Sequence, residues 1–336
     1  MRTLLRRALV GLTLALPLSA AHAADAKKVV VAYQTGAVPY VAGIANGDLA
    51  RKTGWNIEFR RFHSGADIFA AIASGDVQIG DVGSSPFSAA VSRGLDVQAV
   101  YITGASGDDE ALVVRNDIKS PADLKGKKLA AAPVSTDHYQ LLAVLKQEGI
   151  SEKDAQVIAI PQPEIVAAWK RGDIDGAFVW DPALSELKKD GHVLLTSKQV
   201  AERGAPTFGA LVVTTKFAEA NPDFVAKYVS LVDGYYTSFR TDPAAWGPDS
   251  ENAKLIAGLQ GGTPAENAAR LKDANVIPLA TQLTSAWLVG GDDSGVAKVL
   301  KDTAAFLKDQ RKITAIKASY GPFVAPQYAE AAAKLN

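Results

Sequence analysis

The stretch Gly83-Ser84-Ser85-Pro86 sets two hydroxyls where an apolar strand gives way to a helix. Proline suits the first position of a helix, whose opening N–H groups lack partners, so the turn offers hydroxyl and amide donors to a tetrahedral oxyanion. N-capping alone is the alternative, although two serines exceed what one cap requires. A second turn of this kind is Pro133–Tyr139, where Ser135 and Thr136 precede a helix and His138 is either a ligand donor or a packing residue. Gln34 ends the first apolar run, as a pocket amide or as plain turn chemistry. Trp180 is a pocket wall or a core tryptophan. Asp181 caps the helix begun by Pro182 or accepts a cationic part of a ligand, and Glu110, at a suspected lobe crossing, is another carboxylate that could meet a cation.

These residues sit on a unit that the chain uses twice. Ala70–Pro86 reads AAIASGDVQIGDVGSSP and Ala167–Pro182 reads AAWKRGDIDGAFVWDP, so Gly75 and Asp76 recur as Gly172 and Asp173, Val82 as Val179, and a proline closes each copy. Each is a helix, a glycine stop, a short strand and a new helix start. In α/β sheets such helix starts lie beyond the carboxyl edge of the strands, and two of them facing one another would clamp an anion from both sides.

Around the repeats the chain alternates strand and helix. Lys28–Tyr33, Asn56–Phe62, Val77–Val82 and Val97–Ile102 read as strands, with helices from Pro39 to about Arg51, over Ala66–Ala73 and over Pro86–Arg93. A second series of strands follows at Ala111–Arg115, Lys128–Ala132, Gln156–Ile160, Gly176–Trp180, His192–Thr196 and Ala210–Thr214, the last marking the return crossing. From Lys216 the pattern is helical. This spacing predicts an α/β protein of two lobes with mostly parallel sheets and a cleft between them: residues 24–110 in the first lobe, 111–212 in the second, and 213–336 returning to the first.

The N-terminus, MRTLLRRALVGLTLALPLSAAHA, has Arg2, Arg6 and Arg7, an apolar run and an Ala-x-Ala end, which reads as a secretory signal peptide over 1–23. Its loss removes three arginines and no acid, moving the formal charge from 0 to −3, so neither nucleic acid nor an anionic membrane is supported as a partner. With no cysteine, disulfides, thiolate catalysis and a lipid-anchoring cysteine are excluded. The expected location is the periplasm. Catalytic constellations are scarce: His63, His138 and His192 are not spaced as a zinc pair, there is no G-x-S-x-G, Walker or G-x-G-x-x-G motif, and Ser84 with His138 is the one pair a hydrolase could assemble.

Taken together, YQT at Tyr33–Thr35, SGDVQIGDVGSSP at Ser74–Pro86, EALVV at Glu110–Val114, STDHY at Ser135–Tyr139, RGDIDGAFVWDPAL at Arg171–Leu184 and GAPTF at Gly204–Phe208 resemble the taurine-binding proteins of ABC importers, in the nitrate, sulfonate and taurine substrate-binding family. The resemblance implies a two-lobed type II periplasmic-binding-protein fold of mixed sheets flanked by helices, with no enzymatic activity and no cofactor. It implies a monomer that carries a small sulfonate to an inner-membrane permease driven by a cytoplasmic ATPase. Carried over residue by residue, it sets Gln34, Ser84, Ser85, Ser135, Thr136 and His138 around the sulfonate, with Trp180 and Phe208 along the alkyl portion. One departure stands out: taurine-binding members tend to have aspartate after the Thr-Leu/Phe pair, where this chain has Gly209. A buried ammonium needs a carboxylate. Either Glu110 or Asp181 supplies it, or the ligand lacks the amine and is another alkyl or aryl sulfonate or a sulfate ester. The same fold with nitrate, bicarbonate or a thiamine-precursor pyrimidine, and an exported hydrolase, are the rival readings.

Overall fold

The computed structural model describes residues 27–335, so the expected signal segment 1–23 lies outside the described residues. Its strands are β1 (Lys28–Gln34), β2 (Asn56–Phe62), β3 (Ile79–Gly83), β4 (Val97–Ala105), β5 (Glu110–Val114), β6 (Leu129–Ala131), β7 (Ile158–Ala159), β8 (Gly176–Trp180), β9 (His192–Thr196) and β10 (Phe208–Thr214). They form two five-stranded sheets, ordered β2-β1-β3-β10-β4 and β7-β6-β8-β5-β9. The two orders match position by position, and the strands of the sequence repeat, β3 and β8, hold the central place in each.

Both sheets are mixed rather than mostly parallel. β1, β2 and β3 run parallel, as do β6, β7 and β8, but β10 and β5 enter antiparallel beside the central strands. The reason is the crossing: each lobe borrows a strand from the chain as it passes over from the other lobe. β10 therefore belongs to the first sheet along its whole length, pairing Gly209 with Gly83 and Val213 with Ile79. The return lies before Phe208, and the expected second-lobe limit of 212 is corrected accordingly; likewise Glu110 already pairs with Trp180 in the second sheet.

Local chemistry accounts for the other differences. The single helix expected from Pro39 is two, Tyr40–Ala45 and Asp48–Thr53, because Gly47 turns left-handed at φ 73°. The strand expected over Gln156–Ile160 shrinks to two exposed residues at the sheet edge, where β6 is its single partner. The helix expected from Pro86 begins two residues sooner, at Ser84. Proline at its third position is tolerated, since the missing N–H is one of those a helix start leaves unpaired anyway.

One hydrophobic core runs from Val29 on β1 to Ala332, so the C-terminal helices pack on the first sheet. The second sheet carries a core on each face, one around Phe178 and Leu112, the other around Trp169 and Val179. Among the described residues no helix is long and apolar enough to cross a membrane. The central position of β8 makes a direct prediction. Phe178→Ala, at a fully buried ring, is expected to cost about 3–5 kcal/mol in urea unfolding. Ile158→Ala on the exposed edge strand is expected to cost about 0.5 kcal/mol or less.

Candidate functional site

The carboxyl ends of β1, β3 and β8 and the two lobe crossings meet around a cleft of about 160 Å³, lined by residues of both lobes. From the first lobe come Gln34, Thr35, Asp81, Gly83, Pro86 and Thr103; from the second, Glu110, Ser135, Thr136, Trp180 and Asp181; Thr207, Phe208 and Gly209 close it along the return strand. The lobes touch across it. Trp180 Nε1 donates to Thr35 Oγ1 at 3.4 Å, and an added Cβ at Gly83 would stand 2.9 Å from Thr136 Cγ2. Arg270, on the helix Pro264–Asp273 of the first-lobe core, pairs with Asp181 at 3.3 Å with both side chains largely buried.

The sequence candidates divide. Gln34, Glu110, Ser135, Thr136, Trp180, Asp181 and Phe208 line the cleft; Ser84, Ser85 and His138 do not. The serines differ because the helix Ser84–Ser92 starts early and draws both of them, fully buried, into its first turn. Ser84 Oγ accepts from Phe208 N at 3.4 Å, whereas Ser85 Oγ is buried without a hydrogen-bond partner among the described residues. The N-cap of that helix is Gly83, with no side-chain cap. Its opening amides therefore lack the oxygen that a serine cap would have supplied. Across the cleft the helix Thr136–Gln147 is capped in the ordinary way, Ser135 Oγ accepting from His138 N at 3.1 Å.

His138 lies behind this wall, its Nδ1 accepting from Val134 N at 3.4 Å. Burial, and after it the charge of Lys312, lower its pKa to about 4, so the ring is neutral near neutral pH. Among the described residues no hydrogen bond joins it to Ser84, and the hydrolase pair is not assembled. Asp181 is an acceptor already in use, taking hydrogen bonds from Ser185 N at 3.1 Å and Ser185 Oγ at 2.5 Å as well as the Arg270 contact.

Two further carboxyls went unread in the sequence. Asp109 lines the cleft, and burial, followed by the Glu110 charge, pushes it well above the usual carboxylate range. Asp81 is 8% exposed at the third position of β3. Tyr40 OH donates to its Oδ2 at 2.9 Å and Thr103 Oγ1 to its Oδ1 at 2.8 Å. Burial raises its pKa to about 6, the two hydroxyl bonds pulling the other way. The signal was a carboxylate inside an otherwise apolar strand. Glu110 accepts from Thr136 Oγ1 at 3.0 Å and is also raised by burial, while Asp137 behind it is raised well above the usual carboxylate range by burial and by the Glu110 charge. The lining thus combines four acids with Arg270, the one basic side chain among its described residues.

Two lobes of matching strand order around a cleft at their strand ends are the architecture of periplasmic binding proteins, and comparison with known proteins agrees. The NMT1/THI5-like family matches residues 51–245, and the chain belongs to it. It is 40% identical over 310 residues to the taurine-binding periplasmic protein of Escherichia coli K12, covering 92% of this chain and 95% of that one. Among solved structures, the alkanesulfonate-binding protein SsuA of Xanthomonas axonopodis pv. citri bound to MOPS superposes with a TM-score of 0.71 at 23% identity, covering 87% of this chain and 96% of that one. The periplasmic aliphatic sulphonate binding protein SsuA of Escherichia coli gives 0.71 at 21%, over 89% and 92%. These relatives are binding proteins rather than enzymes.

The raised Asp81 pKa has a consequence for the empty protein. A carboxyl that titrates near 6 when folded and near 3.8 when unfolded holds its proton longer in the native state, so its stabilising effect is complete below about pH 4 and is lost as pH rises through 6. At neutral pH the ionised group costs on the order of 3 kcal/mol. Asp81→Asn, which keeps the shape but leaves one hydroxyl with a poorer partner, is expected to stabilise the ligand-free protein by about 1–2 kcal/mol at pH 7.5. The gain should vanish by pH 4, as read by urea unfolding at the two pH values.

Proposed function

We propose that this chain is the periplasmic receptor of an ABC importer, which takes taurine or a related organosulfonate into the inter-lobe cleft and presents it to an inner-membrane permease coupled to a cytoplasmic ATPase. The observation that carries the reading is the helix Ser84–Ser92. It opens on the cleft wall at Gly83 and Pro86 with no side-chain cap, and a helix start without a cap is a seat for an anion. Ser85 adds a buried hydroxyl without a partner in the same turn. Facing it across the cleft, Thr136 begins the helix of the second lobe.

Support for the ligand class comes from the relatives, one named for taurine and two solved structures for sulfonates. The apolar part of such a ligand has Trp180 and Phe208 to lie against, and Ser135 and Thr136 complete the polar side of the second lobe. Binding between the lobes also couples occupancy to their relative position, which is what a permease can read.

A thermal-shift and calorimetric screen of taurine, ethanesulfonate, longer alkanesulfonates, aryl sulfonates and sulfate esters tests the reading. At least one organosulfonate should bind one to one, and at about 100 times its Kd it should add roughly 2.7 kcal/mol to stability. A panel of sulfonates with no effect, alongside a shift with nitrate, bicarbonate or an aminopyrimidine, would contradict it.

A further inference from the structure

Asp81 lines the cleft beside the anion-accepting helix start, yet among the described residues no lysine, arginine or histidine forms an ion pair with it. Its neighbours on the protein side are neutral: the hydroxyls of Tyr40 and Thr103 donate to it, and the phenols of Tyr228 and Tyr236 lie within its field. Each carboxylate oxygen accepts one of those bonds and keeps further lone-pair capacity. A buried carboxylate without a cation is expensive, and one placed in the wall of an anion site would repel the ligand's acid group as well. Both costs are relieved if the ligand brings the missing cation. We propose that Asp81 seats the ammonium of the ligand, so that the cleft selects an aminosulfonate over an amine-free sulfonate of the same size.

The strand register shows how there is room for it. Gly209 pairs with Gly83, and Asp81 stands two residues from Gly83 on the same strand, so all three share one face of the sheet. An added Cβ at Gly209 would lie 4.0 Å from Asp81 Oδ1 and 2.7 Å from Thr103 Oγ1. Glycine at 209 thus leaves open the space in front of the Asp81 carboxylate, which any side chain there would enter. Of the other three acids in the lining, two are already engaged. Asp181 is held by Arg270 and Ser185, and Glu110 is engaged by Thr136 with Asp137 at its back.

The inference rests on the sulfonate reading, and paired ligands separate the two. Calorimetry is run with taurine and ethanesulfonate on the unaltered protein, on Asp81→Asn and on Glu110→Gln. The unaltered protein should bind taurine more tightly. Asp81→Asn should lose roughly 10- to 100-fold in taurine affinity, the range of a hydrogen-bonded charge, while ethanesulfonate binds more tightly because the facing negative charge is gone. Ethanesulfonate bound by the unaltered protein as tightly as taurine would overturn the amine seat and leave the sulfonate reading standing. So would equal losses of both ligands in Asp81→Asn, or a taurine preference that disappears in Glu110→Gln and survives in Asp81→Asn. Binding of neither ligand to the unaltered protein would overturn the amine seat, while the sulfonate reading falls only if the whole sulfonate panel fails as well.

Discussion

A carboxylate held in the wall of a cleft, hydrogen-bonded by hydroxyls and, among the described residues, ion-paired with no protein cation, is the constraint on which the rest of the site depends. Asp81 can occupy that position because β3 is the central strand of its sheet and ends at the cleft. The strand buries the carboxylate among neighbours that hydrogen-bond it without neutralising it. Such a group destabilises the empty protein and becomes useful when a ligand supplies the opposite charge. Binding sites commonly give up stability in this way. The opposite pole is close by, at the uncapped start of the helix that follows the same strand. On the proposed reading, a single strand-to-helix unit presents a carboxylate and an anion seat within a few residues, the polarity of a zwitterion.

The second copy of the unit has a different task. Where the first ends in Gly83 and a helix start, the second ends in Trp180 and Asp181, an aromatic face and a carboxylate already paired with Arg270. That ion pair spans the lobes, as does the contact of Trp180 with Thr35. The crossings are also tied side by side: Thr207 N donates to Ser106 Oγ at 2.8 Å, and the two hydroxyls lie 2.9 Å apart. Motion of the lobes about these paired crossings would leave their hydrogen bonds in place while opening the contacts at the cleft mouth.

Much of this was legible before the structure. The twofold recurrence of helix, glycine, Asp and strand located both central strands, and Gly176–Trp180 and His192–Thr196 fall where β-branched and apolar runs bounded by turn residues put them. What escaped depends on contacts distant in sequence. β10 is an antiparallel strand borrowed by the first sheet, and nothing within Phe208–Thr214 says which sheet will accept it. Ser84 and Ser85 are turn hydroxyls only if the helix starts at Pro86, and its start two residues sooner buries them. Asp81 fits a strand pattern, yet an acid among Ile79, Gly80, Val82 and Gly83 is the most informative residue in the stretch.

The central claim is an orientation: the sulfonate at the start of the helix Ser84–Ser92 and the ammonium at Asp81. A crystal structure of the protein with taurine bound reads it directly. The account predicts the amine nitrogen about 2.7–2.9 Å from an Asp81 carboxylate oxygen and the sulfonate oxygens against the amides that follow Gly83. Taurine seated the other way round, or with its amine on Glu110 or Asp109 and no contact to Asp81, would contradict it.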